Sequence, residues 1–263
     1  MAATAAHLTC IFKSVRVALL IAAAIACSSC REVLGLDDPV LARADAGREV
    51  DGANGAGDTP SASLCADATL VACYEFENTV ADGSPHHLDP DVATNVSYAP
   101  GEVGQALVVG TATEVDVADS PLFDVTQYTI EAWIQVSQLP DSSSRAGVLD
   151  CDQQYGMFVL PAGTLSCNAN QVSISAGQVV PGTWTHVACT DDGTEVRAYV
   201  GGVLVGELPE SGIGSSGTTG ITLGGNNPPG GGQPLDGLLD ELRLFSVVRS
   251  ASQICSDAGG TSC

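Results

Sequence analysis

Lysine is almost absent from this chain, and with it goes a whole class of partner. Lys13 is the only lysine, and Lys plus Arg number 9 against 31 Asp plus Glu, a formal net charge of −22. A chain so poor in cations cannot displace the counterions of a phosphate backbone, so nucleic acid is excluded as a partner. An anionic lipid surface likewise finds no polybasic segment to hold. Aromatic residues make up 5% of the chain, with Trp133 and Trp184 the only tryptophans, so an aromatic-rich catalytic cleft is thinly supplied. Long apolar runs are missing too: Val17–Ala26 is unbroken for ten residues, too short to span a bilayer as a helix. Ten cysteines are present, but without paired Cys-x₂-Cys motifs or histidines at zinc spacing. No Ser-His-Asp order with a nucleophile elbow appears, and no phosphate-binding glycine motif.

What is present starts with an address. Lys13 and Arg16 precede the apolar run, which is the pattern of a signal peptide over residues 1–26. Ala24-Ile25-Ala26-Cys27 resembles a bacterial lipobox, which makes Cys27 the expected lipidated residue, with Cys30 the second candidate. Cleavage there removes two cations and no acid, taking the formal charge from −22 to −24. Export makes disulfides the economical use of Cys30, Cys65, Cys73, Cys151, Cys167, Cys189, Cys255 and Cys263. Residues 27–64 are small, polar and acidic, and read as a disordered tether that cannot bury enough surface to fold. The expected location is the cell envelope, with membrane contact only through the lipid.

Residues 65–263 carry short apolar runs punctuated by Gly, Pro, Asn and Asp. Strands are expected at 70–76, 106–109, 114–117, 126–135, 147–149, 156–160, 171–175, 183–190, 195–200, 203–208, 220–223 and 237–245. That many short strands predicts an all-β domain of two packed antiparallel sheets. Period-two alternation puts Ile130, Ala132, Ile134 and Val136 on one face as core. Glu131, Trp133, Trp184, His186, Arg197 and Tyr199 fall on the opposite face and are the candidate ligand-binding residues. Aromatic rings there would stack on sugars while the polar groups bond hydroxyls. The competing reading makes them cross-strand pairs that hold the sheet together under covering loops.

Seven motifs occur in one order. They are Tyr74-Glu75-Phe76-Glu77, Ala81-Asp82-Gly83-Ser84, Gly104-Gln105-Ala106-Leu107, Tyr128-Thr129-Ile130-Glu131-Ala132-Trp133, Trp184-Thr185-His186-Val187-Ala188, Tyr199-Val200-Gly201-Gly202 and Asp240-Glu241-Leu242-Arg243. Together they resemble the laminin-G-like, concanavalin A-like lectin-glucanase jelly roll of secreted bacterial proteins. The resemblance implies a non-catalytic binding or adhesion module, with glycans or cell-surface proteins as partners. Carbohydrate is the favoured ligand, and a purely structural or protein-adhesion role is the alternative. Glycosidases of the fold carry an E-x-D-x-x-E array, which Glu114-Val115-Asp116-Val117-Ala118-Asp119 approaches without its last Glu. The resemblance also implies a structural Ca²⁺, with Glu77, Asp82, Asp236 and Asp240 as candidate ligands. It further places the first and last strands side by side, so Cys65 and Cys73 are expected to close against Cys255 and Cys263. Mid-domain, Cys167 is expected to pair with Cys189, and Cys151 is a further disulfide candidate.

Overall fold

The computed structural model describes residues 64–263, save 152–153, 171, 210–211, 214–219 and 227–231. The signal segment, the lipidation candidate Cys27, Cys30 and the tether lie outside the described residues. The strands are β1 (Leu70–Tyr74), β2 (Val92–Thr94), β3 (Tyr98–Pro100), β4 (Gln105–Val109), β5 (Glu114–Val117), β6 (Tyr128–Val136), β7 (Ala146–Cys151) and β8 (Tyr155–Val159). They continue as β9 (Leu165–Ala169), β10 (Val172–Ala176), β11 (Thr185–Asp191), β12 (Glu195–Val200), β13 (Val203–Pro209), β14 (Ile221–Leu223) and β15 (Gly237–Phe245). One helix, α1 (Ala251–Asp257), follows the last strand. The first sheet runs β13-β12-β11-β6-β15-β4-β3, with β1 also on β15, and the second runs β10-β9-β8-β7-β14-β5-β2. All ladders are antiparallel, which is the two-sheet jelly-roll sandwich that the alternation predicts.

The core lies between the sheets. Ile130, Ala132, Ile134 and Val136 of β6 are fully buried there beside Val187 and Cys189 of β11 and Val196 and Ala198 of β12. Burying each large aliphatic side chain stabilises the fold by about 1.5–3 kcal/mol. Cys167 of β9 and Cys189 of β11 form a disulfide inside this layer, tying one sheet to the other. The remaining bridges correct the sequence-based expectation. Cys65 closes on Cys73 and Cys255 on Cys263, each over a separation of 8 residues. Cys151 is a buried free thiol, pushed up to about 12 by burial. The ends of the domain do adjoin, but through strand pairing: Leu70 sits opposite Phe245 and Tyr74 opposite Leu242.

β15 divides its partners. Its first half, Gly237–Leu239, pairs with β4, and its second, Leu242–Phe245, with β1. Between them the register shifts against β6, and Glu241 takes a φ of 49°. This is a bulge in a central strand. It turns Asp240 and Glu241 toward the gap where β4 and β1 part. The expected strands 114–117, 195–200 and 237–245 match the observed bounds, while β2, β3 and β9 are additional. β2 and β3 are three-residue pieces with half-exposed side chains. β9 alternates Leu165, Cys167 and Ala169 with Ser166 and Asn168, small polar residues that read as loop.

Candidate functional site

The residues expected to form an open aromatic face come together, but under cover. His186 pairs with Trp133, and Ala188 lies between Glu131 and Tyr199 across three adjacent strands. Trp133 meets the His186 ring edge-on at 5.4 Å. Over this face lies α1. Its Ile254 packs against Ala188 and Tyr199 in a small buried cluster, and Arg249 ahead of it reaches in over Phe245. Glu131 and His186 are wholly inaccessible. Glu131 sits 3.5 Å from Arg243, 3.6 Å from Arg249 and 3.8 Å from His186. Trp133 and Trp184 remain half-buried. Arg197 is committed to Asp192 at 2.9 Å and to Glu195 within its own hairpin. The covering-loop reading therefore describes this face, and Glu131, His186 and Tyr199 offer no surface to a ligand.

The buried charges explain why the cover is needed. Burial raises the Glu131 carboxyl to about 7, against the lowering pull of Arg243. Burial also lowers the His186 imidazole to about 4, with Arg243 adding to the effect. Glu131 thus lies between guanidinium groups from β15 and from the segment before α1, and Glu241 and Asp257 supply the remaining negative charge. The helix is signalled in the sequence by Ser250 and Gln253, whose side chains and backbones cap each other reciprocally. Gly202 gives it room: a Cβ there would lie 2.8 Å from the Cys255 backbone.

Of the four calcium candidates, the fold gathers two. Glu77 Oε1 accepts a hydrogen bond from Gln105 N at 3.1 Å, and Asp240 Oδ2 accepts one from Val103 N at 2.9 Å. One loop, 101–105, thus bridges the two acids. Glycines let it close: a Cβ on Gly101 would lie 2.5 Å from Asp240 Oδ2, and one on Gly104 1.8 Å from Glu77 Oε1. Asp240 Oδ1 is buried without a hydrogen-bond partner. Burial pushes Asp240 up to about 6, with Glu77 adding to the rise, and pushes Glu241 up to about 7 against the lowering pull of Arg243, with Asp240, Glu75 and Glu77 adding to the rise. An orphaned oxygen among crowded acids is the chemistry a hard cation relieves. Among the described residues no three His, Cys, Asp or Glu side chains are placed to hold a metal, so a cation here needs main-chain oxygens as well.

Asp82 and Asp236 do not join this pair. Asp82 is a loop clamp: Cys73 N, Ser84 N, Ser84 Oγ and Leu88 N all donate to its carboxylate within 2.9 Å. Asp236 precedes β15, about 13 Å along the strand from Asp240 at 3.3 Å per residue. The glycosidase-like array is also split. Asp116 accepts from Thr222 Oγ1 at 2.5 Å, and Asp119 lies past the end of β5 in an exposed turn.

Comparison with known proteins rests on fold. Residues 109–255 match the family described as the concanavalin A-like lectin/glucanases superfamily. No curated protein matches the chain. Domain 4 of the extracellular arabinanase AbnA from Geobacillus stearothermophilus, solved in complex with arabinotriose, is 24% identical at a TM-score of 0.59, covering 72% of this chain and 98% of that one. The binding domain of Paraclostridial Mosquitocidal Protein 1 is 15% identical at a TM-score of 0.60, covering 72% of this chain and 52% of its own. The binding domain of botulinum neurotoxin DC, in complex with rat synaptotagmin II, is 15% identical at 0.56, covering 73% and 51%. The chain thus spans about half the length of the two toxin domains. With its motifs in order, two antiparallel sheets and a family match over residues 109–255, this chain belongs to the concanavalin A-like lectin/glucanases superfamily.

Proposed function

We propose that the chain is an exported, non-catalytic binding module of the cell envelope, lipid-anchored at Cys27 and directed at glycans. The observation that carries this reading is extent. The fold superposes on 98% of a separate domain solved with arabinotriose. The split Glu114, Asp116 and Asp119 array, with Asp116 tied to Thr222, supports binding rather than hydrolysis. Three disulfides fit an oxidising, exported setting. No helix among the described residues is long and apolar enough to cross a membrane. A protein-adhesion role is the second reading, favoured by the apolar edge strand β13, where Val203, Leu204, Val205 and Leu208 are exposed. A glycan array separates the two. Retained sugar supports the first reading, and an array blank with and without calcium leaves adhesion.

Calcium is the proposed structural ion, held by Glu77 and Asp240 with carbonyl oxygens of their neighbourhood. Bound there, it would supply positive charge to a crowded group of acids. Calcium added to chelator-treated protein is expected to raise the melting temperature by roughly 5–10 °C at a hundredfold excess over Kd. Asp240→Asn should abolish that shift. An unchanged melting curve in wild type would remove calcium from the account.

A further inference from the structure

At the end of the sandwich where β15 begins, three connections meet: 110–113, 137–145 and the described parts of 224–236. They enclose two adjoining hollows of about 290 Å³ and about 110 Å³, which share Thr111 and Pro234. We infer that this groove is the ligand site, and that it takes the neutral end of a glycan, one or two sugar units long. This rests on the glycan reading and gives it a place.

Size and lining carry the argument. The larger hollow sits at the lower limit of small-molecule sites, about 300–1,000 Å³. Gln138, Asp141, Ser144 and Asp236 line it with acceptors and donors suited to hydroxyls, while Leu139 and Pro140 offer an apolar wall for a sugar's CH face. Glu114 and Thr113 line the smaller hollow. Anionic sugars are disfavoured because the two hollows are lined by Asp141, Asp236 and Glu114 against a single cation, Arg145. That cation is already engaged. It donates to Asn226 Oδ1 at 2.6 Å and to Gln233 Oε1 at 3.3 Å, and it lies 3.7 Å above the Phe158 ring.

The walls are held in advance of any ligand. Gln233 and Asp236 both take left-handed backbone, at φ 45° and 51°, a conformation that costs a non-glycine residue of order 1–3 kcal/mol. Their carbonyls are pinned to β7 and to the neighbouring connection: Gly147 N donates to Gln233 O at 2.9 Å and Ser137 N to Asp236 O at 2.7 Å. Asn226 Nδ2 donates to Gln233 Oε1 at 2.7 Å. Strain kept at a groove mouth and backed by a rigid network is what a preorganised site requires.

The test is calorimetric titration of the full chain, disulfides intact, with arabinotriose and maltotriose as neutral probes. Sialyllactose serves as the anionic probe and a glucosamine trimer as the cationic one. Gln138→Ala and Asp141→Asn sit on exposed positions of the 137–145 connection and should leave the melting temperature unchanged. Each is expected to weaken a neutral probe by about tenfold or more, the worth of a lost hydrogen bond to a charged or amide group. Neutral probes that bind both variants as tightly as wild type would overturn the groove and leave the glycan reading standing. Binding of the sialylated or the cationic probe alone would overturn the neutral class. A wild-type chain that holds none of these probes, and no sugar on an array, would overturn both.

Discussion

Arg243→Met is expected to destabilise the domain by about 1.5–3 kcal/mol near pH 8, the worth of one charge-assisted contact to a buried carboxylate that keeps Arg249 as its other partner, and by much less at pH 5. The reason lies in Glu131, fully buried and 3.5 Å from Arg243. Its carboxyl stands at about 7 in the fold against an ordinary 4.5. A raised acid contributes stability that is complete below its unfolded value and is lost as pH rises through the folded one. Arg243 holds that folded value down, so its removal lifts it further and deepens the loss above neutrality. His186 acts in the same direction in the variant. In wild type its lowered value favours the fold above about 6.5 and withdraws that support as pH falls toward 4. Freed of Arg243, the imidazole takes up a proton more readily beside Glu131. Urea melts at pH 5 and pH 8, both in chelator, read the difference. Adding Glu131→Gln to the variant should recover most of the loss at pH 8. An equal cost at both pH values would show that Arg243 acts by packing alone.

The second large effect belongs to the inter-sheet disulfide. Cys167→Ala with Cys189→Ala is expected to cost about 3 kcal/mol, the loop-closure contribution for a sequence separation of 22. In a domain of this size that lowers the melting temperature by roughly 10 °C. The double variant should then lose much of its sensitivity to reductant, since the other two bridges close short local loops. Cys151 should resist alkylation in the folded chain, because a buried thiol held near 12 presents almost no thiolate. A melting curve unmoved by the double substitution would mean that packing between the sheets suffices without the bridge.

Much of the architecture was legible because alternation is local. The run Ile130 to Val136 declares its inner face residue by residue, and the expected strands 195–200 and 237–245 are observed with those bounds. The candidate site was not legible in the same way. Alternation puts Glu131, Trp133 and His186 on the outer side of a strand but says nothing of what lies above them. That depends on α1, seven residues long, whose only advance sign is the Ser250 and Gln253 capping pair. The acid pair Glu77 and Asp240 was found through motif resemblance, whereas Asp82 was misplaced because a carboxylate that clamps a loop looks the same in sequence as one that binds an ion. Arg145 and Gln233 carried no sequence signal, since their roles arise where three distant connections meet. Cys167 pairs with Cys189 as expected, whereas the pairing expected of Cys65 and Cys73 with Cys255 and Cys263 erred for a related reason: adjacency of the two termini does not say which sulfur faces which.

The pairing of β1 with β15 gives the domain a polarity. The chain enters at Leu70 opposite Phe245, while β15 begins at Gly237 beside the groove, eight residues upstream. At about 3.3 Å per residue the groove mouth stands some 25–30 Å from the point of entry. Entry and groove thus stand at opposite ends of one strand ladder, so a change at either is separated from the other by the full run of β15.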